Sequence, residues 1–223
     1  TESDFGEPTN KQFRCSFVDM TVPLDVDADS TIDTGAMVCL IVTQQRMYVF
    51  NPTYFRENDL MLGGEALQLN AKNEPYWVNS PMGTIAVEHQ GHVFYAGFKP
   101  NSTATVTDPL ESVPDGHDTF TKPLRTSMSI EPDFFVWSDI YDPWSIQKKH
   151  WWGIDPGETI TGMKSWQGNL VIFSENSIYL FSGSSDDSRM LTKVVSGVGC
   201  VAPDSIVDVG NALFFLSHDG FYA

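Results

Sequence analysis

The 223-residue chain is poor in cysteine, in positive charge and in long apolar runs, and each shortage excludes a class of protein. Its three cysteines, Cys15, Cys39 and Cys200, share no C-x-x-C spacing. An odd, widely spaced trio supports neither a disulfide framework nor a four-cysteine zinc site. Buried free thiols suit a protein made or assembled in the cytosol. Lys and Arg number 13 against 29 Asp and Glu, a formal net charge of −16. Phosphate-backbone binding needs clustered cations, and the basic residues cluster only at Lys148-Lys149-His150. An acidic surface instead repels DNA, which suits a wall that nucleic acid slides past; it equally suits plain solubility. The longest apolar run, Ala36 to Val42, has seven residues. That is too short for a membrane-spanning helix, so stable membrane insertion is not expected. No basic-then-apolar leader opens the chain, which starts at Thr1 and reads as a piece of something longer.

Catalytic signatures are missing too. No G-x-S-x-G, phosphate-binding loop, G-x-G-x-x-G or H-E-x-x-H occurs. With 29 acids, pairs near one another in space are inevitable and point to nothing by themselves. The expectation is a protein that is not an enzyme and needs no cofactor.

What the chain does have is β-sheet patterning. Hydrophobic residues are 41% of the total, enough for a core. No apolar pattern of helical period runs beyond about ten residues. Short runs rich in Val, Ile, Phe, Tyr and Trp recur between Gly, Pro, Asn and Asp. The clearest hairpin is Asn169 to Ser174, a Glu175-Asn176 turn, then Ser177 to Ser182. In its second strand Ile178 and Leu180 share one face while Tyr179 and Phe181 share the other. Both faces are apolar, so the hairpin should be covered on both sides.

That hairpin is a ruler for a repeat. Gln167-Gly168-Asn169-Leu170-Val171-Ile172-Phe173 resembles Val209-Gly210-Asn211-Ala212-Leu213-Phe214-Phe215 and Gln90-Gly91-His92-Val93-Phe94-Tyr95-Ala96, and more weakly Gln45 to Phe50. The equivalent positions Gln45, Gln90, Gln167 and Val209 are 45, 77 and 42 residues apart. Two spacings match one four-stranded propeller blade, and the longer one a blade with an insertion. The expected fold is therefore all-β, a β-propeller-like array of about four blade-like units with long loop insertions. Thr103 to Arg125, with Pro109, Pro114, Gly116 and Pro123, reads as the inserted surface loop. Residues 1–34 read as a polar arm or linker, and 35–223 as the propeller-type region.

Candidate sites are few. Asp25-x-Asp27-x-Asp29-Ser30-x-x-Asp33 places acids where a calcium loop has ligands. However, Ser30 stands where an EF-hand needs Gly, and Ala36 where it needs Glu. A solvated acidic loop is the preferred reading, with a Ca²⁺ site of loop type as the alternative. His89 and His92 are three apart; on one strand they would face opposite sides and could not share a metal. Ser217-His218-Asp219-Gly220 reads as a hairpin turn. Eight aromatics from Phe134 to Trp166 crowd 33 positions. They either pack between blades or, where exposed, stack on sugars or a partner. Asp108 and Asp115 in the inserted loop, with Trp144, Trp151 and Trp152, are the interface candidates.

One succession of motifs resembles a known family. It runs from Ala86-Val87-Glu88-His89 through Ala96-Gly97, to Val136-Trp137-Ser138 and Tyr141-Asp142-Pro143-Trp144. Ile160-Thr161-Gly162-Met163 follows, then Leu170 to Gly183, Gly199-Cys200, and Leu213 to Tyr222. Over residues 83–223 this order is similar to the propeller region of the tail nozzle, or tail tubular, proteins of short-tailed bacteriophages. The resemblance implies a structural virion protein in the tail, assembled in the host cytoplasm. Several copies would form a ring below a tail adaptor on the portal side. DNA would leave through the lumen without specific binding, and tail fibres would dock outside. The alternative expectation is a receptor-recognition propeller that binds or cleaves glycans.

Overall fold

A computed structural model describes residues 15–24, 33–43, 47–50, 61–63, 66–69, 75–78, 83–114, 121–143 and 146–223, with side chains at 15–21, 37–42, 83–102, 127–143 and 146–223. The described chain is all-β apart from one 3-10 turn, Pro203–Ser205. No helix among the described residues is long and apolar enough to cross a membrane.

The strands form small antiparallel sheets in chain order. The first sheet is β1 (Cys15–Leu24), β2 (Asp33–Thr43), β3 (Met47–Phe50) and β4 (Met61–Gly63). A short pair follows, β5 (Ala66–Leu69) with β6 (Pro75–Val78). The second sheet starts with β7 (Ile85–His89) and β8 (His92–Ala96). A two-stranded ribbon, β9 (Ser102–Pro114) and β10 (Thr121–Ile130), interrupts it. The sheet resumes with β11 (Phe134–Trp137) and β12 (Trp151–Gly153). The third sheet is β13 (Ile160–Trp166), β14 (Asn169–Ser174), β15 (Ser177–Ser182) and β16 (Met190–Ser196). The fourth has three strands, β17 (Val207–Asp208), β18 (Leu213–Ser217) and β19 (Gly220–Tyr222).

Period-two alternation makes each sheet two-faced, so consecutive sheets stack and share cores. The first junction buries Val18, Met20, Val38, Leu40 and Val42 of the first sheet against Val93, Tyr95 and Val136 of the second. The second joins Phe94, Phe135 and Trp137 to Leu170, Ile172, Tyr179 and Phe181. The third joins Val171, Phe173 and Ile178 to Leu213 and Phe215, with Cys200. The opening strands of successive sheets also touch, β1 with β7 and β7 with β13. The 169–182 hairpin is thus covered on both faces, as its two apolar faces predict.

Turn chemistry sets the sheet openings. Gln90 and Gly91 have φ of 53° and 80°, and Gln167 and Gly168 have 48° and 76°. Two successive positive-φ residues make the primed turn whose twist suits a tight hairpin. Gln90 and Gln167 are therefore structurally equivalent, and similar bonds run onward from each. Gln90 Nε2 donates to the Gly168 carbonyl at 3.2 Å, and Gln167 Nε2 donates to the Gly210 carbonyl at 3.3 Å. Gly199 is needed for another reason: a Cβ there would collide with the Ser174 carbonyl.

Three expectations are corrected. The 1–34 segment is not all arm, because β1 lies inside it and pairs with β2 from Cys15↔Thr43 to Leu24↔Asp33. Its polar residues alternate with Val18 and Met20, both buried, so average polarity hid a strand. The Thr103–Arg125 loop is instead most of the β9–β10 ribbon, with a register shift at Pro123/Leu124. Alternating Thr103, Thr105 and Thr107 favour extended backbone, and a ribbon with open edges tolerates proline. Finally, His89 and His92 are not three apart on one strand. They are cross-strand partners flanking the Gln90-Gly91 turn.

Candidate functional site

The densest polar chemistry among the described residues sits at the rim of the second junction. β11 delivers Trp137, and the segment before β12 delivers Gln147, Lys149 and His150. From the third sheet, the loop after β15 delivers Asp186 and Arg189. A turn closes that loop: Ser188 N and Arg189 N donate to the Ser185 carbonyl at 2.9 and 3.0 Å. The turn aims both side chains back at the second sheet.

Asp186 is the hub. It accepts from Lys149 Nζ at 2.7 Å, His150 Nε2 at 3.2 Å and Arg189 Nη1 at 3.1 Å. Arg189 lies 4.7 Å over the Trp137 ring, and His150 stacks on Trp137 with ring centroids 5.2 Å apart. His150, only 3% exposed, also has Asp139 Oδ1 3.7 Å from Nδ1. Gln147 Nε2 donates to that same Asp139 oxygen. His92 meets His150 edge-on at 6.4 Å and donates from Nδ1 to the Ser138 carbonyl at 2.7 Å. His89 is buried and pairs with Ser165 Oγ at 2.8 Å.

Burial pushes all three histidines below their ordinary value; for His150 the neighbouring Asp186 and Asp139 oppose the shift without cancelling it. Burial works against ionised Asp186, yet bonds from Lys149 and His150 win and hold its carboxyl low. The Asp186 bond raises Lys149. Arg189 is lowered by burial, with Asp186 opposing, and remains a cation.

This arrangement joins sheets. Ser138 Oγ bonds within its own sheet, accepting from Val93 N at 3.0 Å and donating to the Asp139 carbonyl at 2.8 Å. Arg189 and Lys149 share the one Asp186 carboxylate. Trp137 Nε1 and His150 Nδ1 are buried without a hydrogen-bond partner. A second network ties the third sheet to its approach segment. Glu158 accepts from Ser177 Oγ at 2.9 Å, from Ser174 Oγ, and from Lys193 Nζ at 3.1 Å. Lys193 also reaches Asp155 at 2.7 Å.

The expected interface residues divide. Trp151 and Trp152 lie on edge strand β12, 41% and 38% exposed. Trp151 packs on Phe134 and Trp152 on Phe181, with ring centroids 5.0 and 5.9 Å apart. Asp108 lies in β9, paired with Leu124. Asp115 and Trp144 lie outside the described residues. So do Asp25, Asp27 and Asp29, while Asp33 opens β2. Among the described residues no group of three or more His, Cys, Asp or Glu is arranged to hold a metal. Where β1, β7 and β13 meet, a hollow of about 110 Å³ is lined by Ser16, Thr84 and Met163. Ligand pockets start near ~300 Å³. Ser16 Oγ already donates to the Thr84 carbonyl at 2.9 Å.

Sequence reasoning missed the Asp186 hub. Its members lie up to 52 residues apart, at 137–150 and 186–189. The one available signal was Arg189, the sole arginine after Arg125 in an acidic chain. The sequence matches no protein-family model and no curated protein.

Proposed function

We propose that the chain is a structural component of a short-tailed bacteriophage tail, a set of β-propeller-type blades in the nozzle through which DNA is ejected. The observation that carries this reading is the serial stacking of small antiparallel sheets. The opening strands of the first three sheets lie side by side, and Gln90 and Gln167 clasp the second sheet to the third and the third to the fourth. That is how blades of a propeller are organised. The motif order over 83–223 supplies the tail assignment. The net charge of −16 suits a channel wall that DNA passes without sticking.

On this reading the protein acts by assembly and not by catalysis. Copies form a ring that meets a tail adaptor on the portal side, with fibres outside, in the virion tail. The β9–β10 ribbon, paired only with itself among the described residues, is the reaching element. Deleting Asp108–Lys122 joins Thr107 to Arg125, which are already cross-strand partners, through Pro123-Leu124. The sheets should stay folded while neighbour contacts weaken; unchanged assembly by sedimentation removes the ribbon from that role. The reading as a whole is tested by negative-stain imaging of the protein with a portal–adaptor assembly. A ring with a central hole supports it, and no association overturns it.

The half-exposed pair Trp151 and Trp152 favours a second reading, a receptor-recognition propeller that binds or cleaves glycans. A glycan array without signal and no hydrolysis would remove it.

A further inference from the structure

The second junction is tied by different chemistry at its two ends. At the end carrying the Gln90-Gly91 and Gln167-Gly168 turns, four side chains able to hold positive charge converge on two buried rings, Phe94 and Trp137. His89 lies 5.9 Å, His92 6.4 Å and Arg189 5.9 Å from Phe94. His150 lies 5.2 Å and Arg189 4.7 Å from Trp137. Among the described residues, the other charged groups facing this cluster are Glu88 of β7, Asp139 after β11, Lys149 before β12, and Asp186 and Asp187 in the loop after β15. The opposite end is tied by groups whose charge does not change in the histidine range. Ile160 N, opening β13, donates to the Pro132 carbonyl ahead of β11 at 3.1 Å. Between β12 and β13, Asp155 and Glu158 both hold Lys193 of β16. The Lys193 bond holds the Asp155 carboxyl low; burial works against ionised Glu158, but bonds from Ser174, Lys193 and Ser177 prevail. Both therefore stay ionised where imidazoles take up protons.

We propose that the second junction is an acid-operated hinge: when its histidines become charged, the second and third sheets part at the turn end and stay joined at the other. A buried imidazolium loses its hydration. Here it also meets the Arg189 guanidinium on the same pair of rings. Asp186 already holds Lys149, His150 and Arg189, so it is shared before any histidine charges. Parting the turn end lets water reach the imidazoles, while the Ile160 and Lys193 bonds act as the pivot. The buried histidines and arginine among the described residues, His89, His150 and Arg189, all lie at this junction. The first and third cores hold no such trigger among the described residues. The opening is local, short of losing the whole fold, and the inference stands apart from the tail reading.

Hydroxyl-radical footprinting of the whole chain at about pH 7.5 and about pH 5.5, on either side of the histidine range, tests it by reading which side chains water reaches. One proton taken up on opening enlarges the open form about tenfold between these values. Oxidation of Phe94, Trp137 and Phe181 in the second core should rise several-fold at the lower pH and fall back on return. Met20 in the first core and Phe215 in the third should not change. A variant carrying His92→Gln and His150→Gln should lose most of the rise; if it does not fold, His89→Gln replaces it. Unchanged oxidation of the second core at about pH 5.5 overturns the proposal. So does a rise shared equally by Met20 and Phe215, which would mean that the whole fold is lost, or a folded histidine variant that opens as the wild type does.

Discussion

The first and second junctions solve the same packing problem with different chemistry. The first is mainly aliphatic, with Val18, Val38, Leu40, Val42, Val93, Ile130 and Ile146, and one buried phenol, Tyr95, donating to the Pro143 carbonyl at 2.7 Å. The second is aromatic and capped by charge. Phe181 lies 5.8 Å from Phe94, 5.1 Å from Phe135 and 5.5 Å from Trp137, and Arg189 and Asp186 close the rim. Aliphatic burial is non-directional and scales with area removed from water. Ring edges and a bonded guanidinium prefer particular geometries. The first junction is therefore held by burial, while the second is also held in register.

The contrast can be broken most sharply by truncation. Phe181→Ala should cost about 4 kcal/mol, more than the roughly 3 kcal/mol expected for Leu40→Ala, by urea denaturation. Equal losses would mean the ring contacts add nothing. Asp186→Ala should cost about 3 kcal/mol by leaving buried Arg189 unpaired, and adding Arg189→Met should recover much of it. Failure of the double variant to recover would show that the hub does more than neutralise Arg189.

Acid should find the second junction first. His89, His92 and His150 all lie there, and all are held below the ordinary histidine value by burial. The unfolded chain then binds more protons than the folded one as pH falls through the ordinary histidine range. Stability is present above that range and lost as these groups are driven to charge. The thermal midpoint should drop between about pH 7.5 and about pH 5.5, and His150→Gln should flatten the slope. A pH-independent midpoint would contradict the burial argument. The smallest effect should come from the exposed clasps: Gln90→Ala and Gln167→Ala each cost about 0.5 kcal/mol.

Local features were the legible ones. The 169–182 hairpin and the equivalence of Gln90 and Gln167 could be read from turn residues and alternation, because a hairpin is formed by neighbours in sequence; the Val209 turn differs, with positive φ at Gly210 and not at Val209. β1 was obscured because its outward positions Asp19 and Thr21 are polar. The ribbon was obscured because its prolines look like loop residues until a partner strand is known. The histidine pair needed the turn between its members to be placed correctly. Of the interface residues, Trp151 and Trp152 were identified as candidates from composition, yet their half-exposure depends on β12 being an edge.

The sequence by itself determined an all-β chain, its turn chemistry and which residues share a strand face, since these follow from steric rules acting over a few residues. Only the tertiary structure decided which face meets which sheet, that Asp186 gathers Lys149, His150 and Arg189, and that Gln90 and Gln167 reach the opening loop of the next sheet. Those contacts join groups from 3 to 78 residues apart. Even the shortest serves a junction between sheets, and no local rule specifies an interaction before both partners have been packed.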